Sequence, residues 1–162
     1  MMTRDERYLA LAIEQAKKAA SLGEVPVGAV IVSRDGVIAA GYNKRERDKN
    51  PLAHAEIEAI GKAAAAEGDW RLSDCELFVT LEPCAMCAGA IVTCRIKRVV
   101  FGAFDPAAGC LGSAVDLSLL PFARDMEVIG GVLLAPCEKL LSDFFYGQRR
   151  REKRVETTES EA

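Results

Sequence analysis

Short runs of aliphatic and β-branched residues alternate with helical patterns along the chain, and this alternation constrains the fold most. Residues 25–32 (VPVGAVIV) and 37–40 (VIAA) flank an Asp-Gly turn, which is a hairpin signal. Further strand-like runs lie at residues 76–80, 98–102 and 126–129. Since helical patterns separate the later runs, the chain is predicted to form a mixed five-stranded sheet in a three-layer α/β/α fold.

Four segments show helical patterns. Apolar residues three and four apart predict a helix over residues 4–22, and Ala-rich residues from about 54 to 67 predict a second. Pro83 suits the first turn of a third helix over about residues 84–94. The last is predicted from about residue 137 to 154. We therefore expect a single domain over residues 1–154 and a frayed acidic tail at 155–162.

Length and charge narrow the class of protein. The 162 residues suit one domain, and a 50% apolar, 28% charged composition excludes global disorder. The sequence lacks an apolar run long enough for a membrane span or signal peptide, which predicts a cytoplasmic protein without membrane contact. A net charge of −3 argues against binding nucleic acid with the whole surface, although a basic segment lies near the C-terminus.

Six cysteines without a secretory signal favour metal binding or buried thiols over disulfides. Cys84 and Cys87 form a CxxC motif, which by itself also fits a redox pair, half of a structural zinc site, or two buried thiols. A four-thiolate site would need a second close pair, which the remaining cysteines do not form. Cys94 would lie about 10 Å further along the same helix, too far for a zinc–sulfur bond.

The single histidine supplies the missing ligand. His54-Ala55-Glu56 followed by Pro83-Cys84-Ala85-Met86-Cys87 matches the H-x-E…P-C-x-x-C pattern of zinc nucleobase deaminases. Two thiolates and a neutral imidazole leave the fourth tetrahedral position open for water, as a catalytic zinc requires. We predict one zinc ion, bound by His54, Cys84 and Cys87.

Glu56 is the predicted proton carrier. Residues two apart on a helix point about 200° apart, so His54 must stand at the very start of its helix for Glu56 to reach the metal-bound water. The carboxylate would take a proton from that water, deliver it to the ring nitrogen of the base and protonate the departing ammonia. Taken alone, His54 reads as an incidental cap and Glu56 as an acid favoured at a helix start.

The same residues and their flanks resemble the bacterial tRNA-specific adenosine deaminases, a branch of the zinc-dependent cytidine and deoxycytidylate deaminase superfamily. The similarity covers most of the chain. It runs through EVPVGAV (24–30), Asn43, AHAEI (53–57), TLEPCAMCAGA (80–90), RVVFGA (98–103) and LLSDFF (140–145).

This resemblance implies a cytidine-deaminase-like fold, a homodimer with one zinc per subunit, and hydrolysis of adenosine to inosine in a tRNA anticodon stem-loop. By position, His54, Cys84 and Cys87 match the family's zinc ligands and Glu56 its proton shuttle. Three further positions match family residues near the substrate. Asn43 matches an asparagine that contacts the target nucleotide, Ala53 is expected to lie beside the base, and Asp105 matches a residue in a loop that touches the RNA backbone.

The C-terminal segment 144–154 mixes aromatic and basic residues. Phe145 is predicted to stack on a splayed base, and Arg149 and Arg150 to bind phosphates. A charge run of this kind is ordinarily a solvated helix face. For the basic loop 44–50 the same two interpretations stand, contact with RNA or a solvated surface.

Two other functions remain open from the sequence. The first keeps the zinc chemistry but acts on a free nucleobase or nucleoside such as guanine or cytosine, which would not need the basic C-terminal helix. The second is a non-catalytic zinc or RNA-binding module, which would show a fourth protein ligand on the metal.

Overall fold

The computed structural model describes residues 1–123 and 125–160, in which four α-helices and five strands form the fold. The helices are α1 (Arg4–Ser21), α2 (Ala55–Glu67), α3 (Ala85–Thr93) and α4 (Leu134–Ser160). The strands are β1 (Gly28–Ser33), β2 (Gly36–Tyr42), β3 (Glu76–Leu81), β4 (Arg98–Ala103) and β5 (Glu127–Ile129). Two 3-10 turns, Leu117–Leu119 and Pro121–Ala123, lie between β4 and β5.

The strands form one sheet in the order β2-β1-β3-β4-β5. Strand β1 is antiparallel to both β2 and β3, whereas β3, β4 and β5 run parallel. The predicted mixed five-stranded sheet is therefore confirmed. Because β3 and β4 are parallel neighbours, the segments that follow them begin at the same end of the two strands.

Helices cover both faces of the sheet, which confirms the predicted three layers. On one face, Leu9 and Ile13 of α1 and Cys137 of α4 pack in a cluster with Phe78 and Val100 of the sheet. On the other face, α2 and α3 pack against the alternate sheet residues; this cluster includes Ala59, Ala63, Ile91, Ile31, Val79 and Phe101. In the described part of the chain, no helix combines the length and apolarity needed to cross a bilayer.

Most element ends lie within a few residues of their predicted positions. A capping box between Thr3 and Glu6 begins α1, and α2 ends at Gly68, which adopts the left-handed conformation. Strand β1 begins at Gly28 rather than at the predicted residue 25, since Pro26 lacks the N–H needed for a strand ladder.

The last helix is longer than the sequence predicts. It begins at Leu134 and continues to Ser160, so the predicted end at residue 154 is too early. The hydroxyls of Thr157 and Thr158 donate to the carbonyls of Lys153 and Arg154, and neither glycine nor proline interrupts this part of the helix. Residues 155–160 of the expected acidic tail are thus helical, and residues 161–162 lie outside the described residues.

Gly41 sets how closely α2 lies on the sheet. A Cβ atom built on Gly41 would meet the Ala55 carbonyl oxygen at 2.5 Å and the Ala59 nitrogen at 2.8 Å. Both contacts are backbone atoms of α2, which cannot move aside as a flexible side chain can. The helix that begins beside His54 is therefore seated directly on β2.

We expect Gly41→Ala to displace α2 and to lower the free energy of unfolding by about 1–3 kcal/mol, the usual cost of overpacking. Gly61→Ala is the control, because Gly61 lies in α2 itself and a Cβ there meets nothing within 4 Å. That control should gain up to about 1 kcal/mol from improved helix propensity. Denaturant unfolding of both variants measures the difference, and equal stabilities would contradict this packing account.

Candidate active site

Three predicted ligands from two helix starts meet at the edge of the sheet. His54 is the N-cap of α2, Cys84 is the N-cap of α3, and Cys87 lies in the first turn of α3. One ligand atom from each residue lies within 4.8 Å of the others. The prediction that His54 stands at the very start of its helix is confirmed.

The donor atoms fit a tetrahedral zinc ion. His54 Nδ1 is 3.7 Å from Cys84 Sγ and 3.6 Å from Cys87 Sγ. Zinc bonds of about 2.3 Å to sulfur and about 2.0 Å to nitrogen, at a tetrahedral angle, place those atoms about 3.5 Å apart. The group has three members among the described residues, which leaves one coordination position for water or substrate.

The protein itself favours a thiolate at this place. The hydrogen bond from the Cys87 thiol, aided by His54, lowers the pKa of Cys84 to about 3. Sharing that proton with Cys84 and burial both raise the pKa of Cys87. The protein therefore favours the thiolate form of Cys84, and metal binding would release the thiol proton of Cys87.

Glu56 places a buried carboxyl group next to the ligands. It lies in the first turn of α2, is 4% exposed and lines the same cavity as His54 and Cys84. Burial raises the pKa of its carboxyl above the ordinary value. A carboxyl held in such surroundings can take up and return a proton nearer neutral pH than an exposed one.

The cavity beside these groups has a volume of about 200 Å³. Apolar side chains of Val25, Val27 and Leu81 line part of it. Two of the ligands line it as well, together with further polar and small residues: His54, Cys84, Asn43, Arg45, Ala55, Glu56, Glu82, Asp105 and Ala108. An apolar wall with a few polar groups is typical of a site that holds one flat heterocycle.

The structure brings two of the residues predicted to bind substrate into this cavity. Asn43 is held rigidly, because its Nδ2 donates to the Val25 carbonyl and its Oδ1 accepts the Arg45 N–H. Asp105 accepts the N–H groups of Ala107 and Ala108, which fixes the start of the loop after β4.

The other predicted contacts lie elsewhere. Ala53 is 1% exposed, and among the described residues it does not line the cavity, although it directly precedes His54. Phe145, Arg149 and Arg150 are exposed on α4, which packs on the opposite face of the sheet, with α1. Their predicted contacts with RNA therefore concern a surface outside the cavity.

Sequence reasoning missed two buried carboxylates that hold the loops around the cavity. Glu24 is 1% exposed and accepts the N–H groups of Glu46 and Arg47; Glu82 is 2% exposed and accepts those of Leu111 and Ser113. Their positions in the sequence could have indicated this role. Each acid adjoins an apolar strand-like run, where a charged side chain is expected to be buried and to need hydrogen-bond partners.

The zinc-binding region of cytidine and deoxycytidylate deaminases matches residues 2–103, which include the three ligands and Glu56. The chain belongs to this family. This deaminase is therefore an enzyme with zinc as its cofactor, and His54, Cys84 and Cys87 form a group that fits the zinc ion.

Curated relatives match the deaminase over nearly its whole length. The tRNA-specific adenosine deaminase of Bacillus subtilis is 47% identical, and the alignment covers 99% of this chain and 100% of the relative. That of Haemophilus influenzae is 45% identical over 94% of this chain and 88% of the relative. The resemblance to this branch of the family is confirmed.

Solved structures of two kinds share the fold. A tRNA:A34 deaminase, from work on A-to-I editing at the wobble position of transfer RNA, superposes with a TM-score of 0.80. It is 38% identical and covers 83% of this chain and 99% of its own. A guanine deaminase from Nitrosomonas europaea superposes with a TM-score of 0.76 at 26% identity, covering 89% and 86%.

We expect Cys87→Ser to lose most of its zinc, since a hydroxyl replaces one of three protein ligands. The parent should hold about one equivalent per chain. Cys94→Ser is the matched control, because Cys94 ends the same helix and its thiol donates to the Ile91 carbonyl, as a hydroxyl also can. Metal analysis after dialysis against a weak chelator measures both. Equal zinc in the two variants would contradict the assigned ligand set.

Proposed function

We propose that the deaminase hydrolyses adenosine to inosine at the wobble position of a tRNA anticodon loop. The reaction would occur in a single domain, residues 1–154, with one zinc ion per chain. The observation that carries this proposal is the position of Glu56, a buried carboxyl beside a three-ligand zinc site, in a cavity sized for one base. Full-length relatives that are tRNA-specific adenosine deaminases support the choice of substrate.

His54, Cys84 and Cys87 would hold the zinc. When bound there, a zinc ion with an open position lowers the pKa of a water molecule and so supplies a nucleophile near neutral pH. Glu56 accepts a proton from the attacking water and delivers it to N1 of adenine as the new C–O bond forms at C6. It then carries the second water proton to the amino group, so that the C6–N bond breaks and ammonia leaves with inosine as the other product.

Asn43 and Asp105 both line the cavity, and they are proposed to orient the target nucleotide there. Asn43 would contact the nucleotide, Ala53 would shape the site from beneath the start of α2, and the loop of Asp105 would contact the RNA backbone. A base must leave its stack to enter such a cavity, and an unpaired anticodon loop lowers that energetic cost.

A homodimer in the cytoplasm is part of the same proposal. Exposed apolar side chains at Val115, Leu119 and Phe122 lie in the segment between β4 and β5, where the turn Leu117–Leu119 packs against α3. A second subunit would remove this apolar surface from water. The cytoplasmic location follows from the proposed tRNA substrate.

The C-terminal helix is proposed to bind the RNA outside the cavity. Phe145 is 41% exposed and Arg150 lies over the exposed ring of Tyr146, so α4 presents aromatic and cationic groups together. Aromatic faces stack on bases and arginines bind phosphates. Arg149 would add a further phosphate contact on the same helix.

We expect the zinc-loaded deaminase to form inosine in an anticodon stem-loop with adenosine at the wobble position, and to leave free adenine, guanine and cytosine unchanged. Glu56→Gln should keep its zinc and lose at least about 100-fold in kcat, because the amide cannot carry the proton. Mass spectrometry of the products and metal analysis provide the two readouts. Guanine conversion alone would replace the RNA substrate by a free base, and an active Glu56→Gln variant would refute the mechanism.

Replacing Arg149 and Arg150 together by alanine should raise KM for the stem-loop about tenfold and weaken its dependence on salt, because two phosphate contacts are lost. The control removes two lysines from α1, Lys17 and Lys18, and so changes the net charge equally. Steady-state kinetics at several salt concentrations distinguish the two. If both double variants behave alike, α4 acts only through overall charge and the proposed RNA surface is wrong.

A further inference from the structure

Glu82 lies between the end of strand β3 and the zinc ligand candidates at the start of α3. It follows the last residue of β3 and precedes Cys84 by two positions. Its side chain is 2% exposed and lines the substrate cavity, yet the proton transfers described above make no use of it.

The Glu82 carboxylate accepts hydrogen bonds from one loop, residues 105–113. Its Oε2 accepts the N–H groups of Leu111 at 3.2 Å and Ser113 at 3.1 Å. Its Oε1 accepts the Ser113 hydroxyl and, at 3.4 Å, the N–H of Asp105. One buried acid therefore holds both ends of the loop that follows β4.

The loop lies directly on the carboxylate. A Cβ atom on Gly109 would overlap the carboxyl group of Glu82, so the absence of a side chain at Gly109 permits this approach. The Cys110 N–H also donates to the carbonyl of Pro83 at 2.8 Å, which ties the middle of the loop to the segment before α3.

This loop forms one wall of the cavity. Asp105 and Ala108 line the cavity, as do Asn43 and Arg45, which lie on the loop that Glu24 holds. The shape of the cavity thus depends on how firmly each loop is held. Removing a charged acceptor leaves buried N–H groups without partners, which is costly enough to displace a loop that has little regular structure of its own.

We propose that Glu82 is a positioning residue that sets the affinity for the target nucleotide by holding the wall of Asp105 and Ala108 in place. Both of its oxygens are engaged by the loop, so it acts through that loop rather than by touching the reacting atoms. The inference rests on the proposed function in taking this cavity to be the substrate site.

The experiment compares Glu82→Gln with Ser113→Ala, which removes one donor to the carboxylate and leaves Glu82 in place. Ser118→Ala is the matched control, because Ser118 also donates its hydroxyl to a carboxylate, that of Asp116, but does not line the cavity. Zinc content, steady-state kinetics and hydrogen–deuterium exchange of the peptide spanning residues 105–113 are measured for each.

We expect Glu82→Gln to keep its zinc, to exchange the loop amides at least about tenfold faster, and to raise KM about tenfold with kcat within about threefold of the parent. Ser113→Ala should show the same pattern at about two- to fivefold, because one hydrogen bond of the set is lost. Ser118→Ala should match the parent in all three readouts.

Three results would overturn the proposal: an unchanged exchange rate in both variants, faster exchange with an unchanged KM, or loss of zinc in Glu82→Gln while Ser113→Ala behaves as the parent. If Glu82→Gln does not fold, the exchange rate and KM of Ser113→Ala decide alone. The exchange measurement needs no substrate. If the parent converts a free base instead of the stem-loop, the substrate proposal fails, and the same KM comparison on that base still tests Glu82.

Discussion

The close approach of two helix starts is the constraint on which the rest of the molecule depends. A metal site with ligands from α2 and α3 requires His54 and Cys84 to stand within a few ångströms, and each is the N-cap of its helix. Parallel pairing of β3 and β4 sends α3 back across one face, and Gly41 lets α2 lie on that face without an intervening side chain. The sheet thus fixes the helix axes, and the helix starts fix the donor atoms.

Much of this arrangement was predictable from local sequence, because its signals are local. The Asp-Gly turn, the spacing of apolar residues and the CxxC at a helix start each depend on a few neighbouring residues. The positions of His54 and Glu56 also followed, since the angle between residues two apart on a helix permits only one arrangement that uses both. A single imidazole in the chain reduced the possible ligand sets further.

What could not be predicted depends on contacts between distant parts of the chain. Glu82 is recognisable as a loop anchor only when residues 105–113 are folded over it, and no sequence pattern in either segment indicates that the two are in contact.

The extent of α4 was missed for a different reason. Its acidic end contains neither glycine nor proline, the residues that usually end a helix. The predicted end was placed where basic residues give way to acidic ones, and such a change of charge does not by itself end a helix. Substrate choice belongs with these long-range features, since guanine deaminases share the fold and the cavity walls are irregular loops.

The single histidine of the chain lies in the group of side chains that fits the zinc ion, and this has a spectroscopic consequence. Every imidazole resonance in an NMR spectrum of this protein arises from His54. Selective labelling of histidine with nitrogen-15 therefore converts the active centre into a one-residue reporter, free of overlap. Its two nitrogen shifts distinguish the Nδ1 atom that faces the thiols from the Nε2 atom. Metal exchange, inhibitor binding and thiol oxidation can then be followed at the centre itself in the unmodified protein.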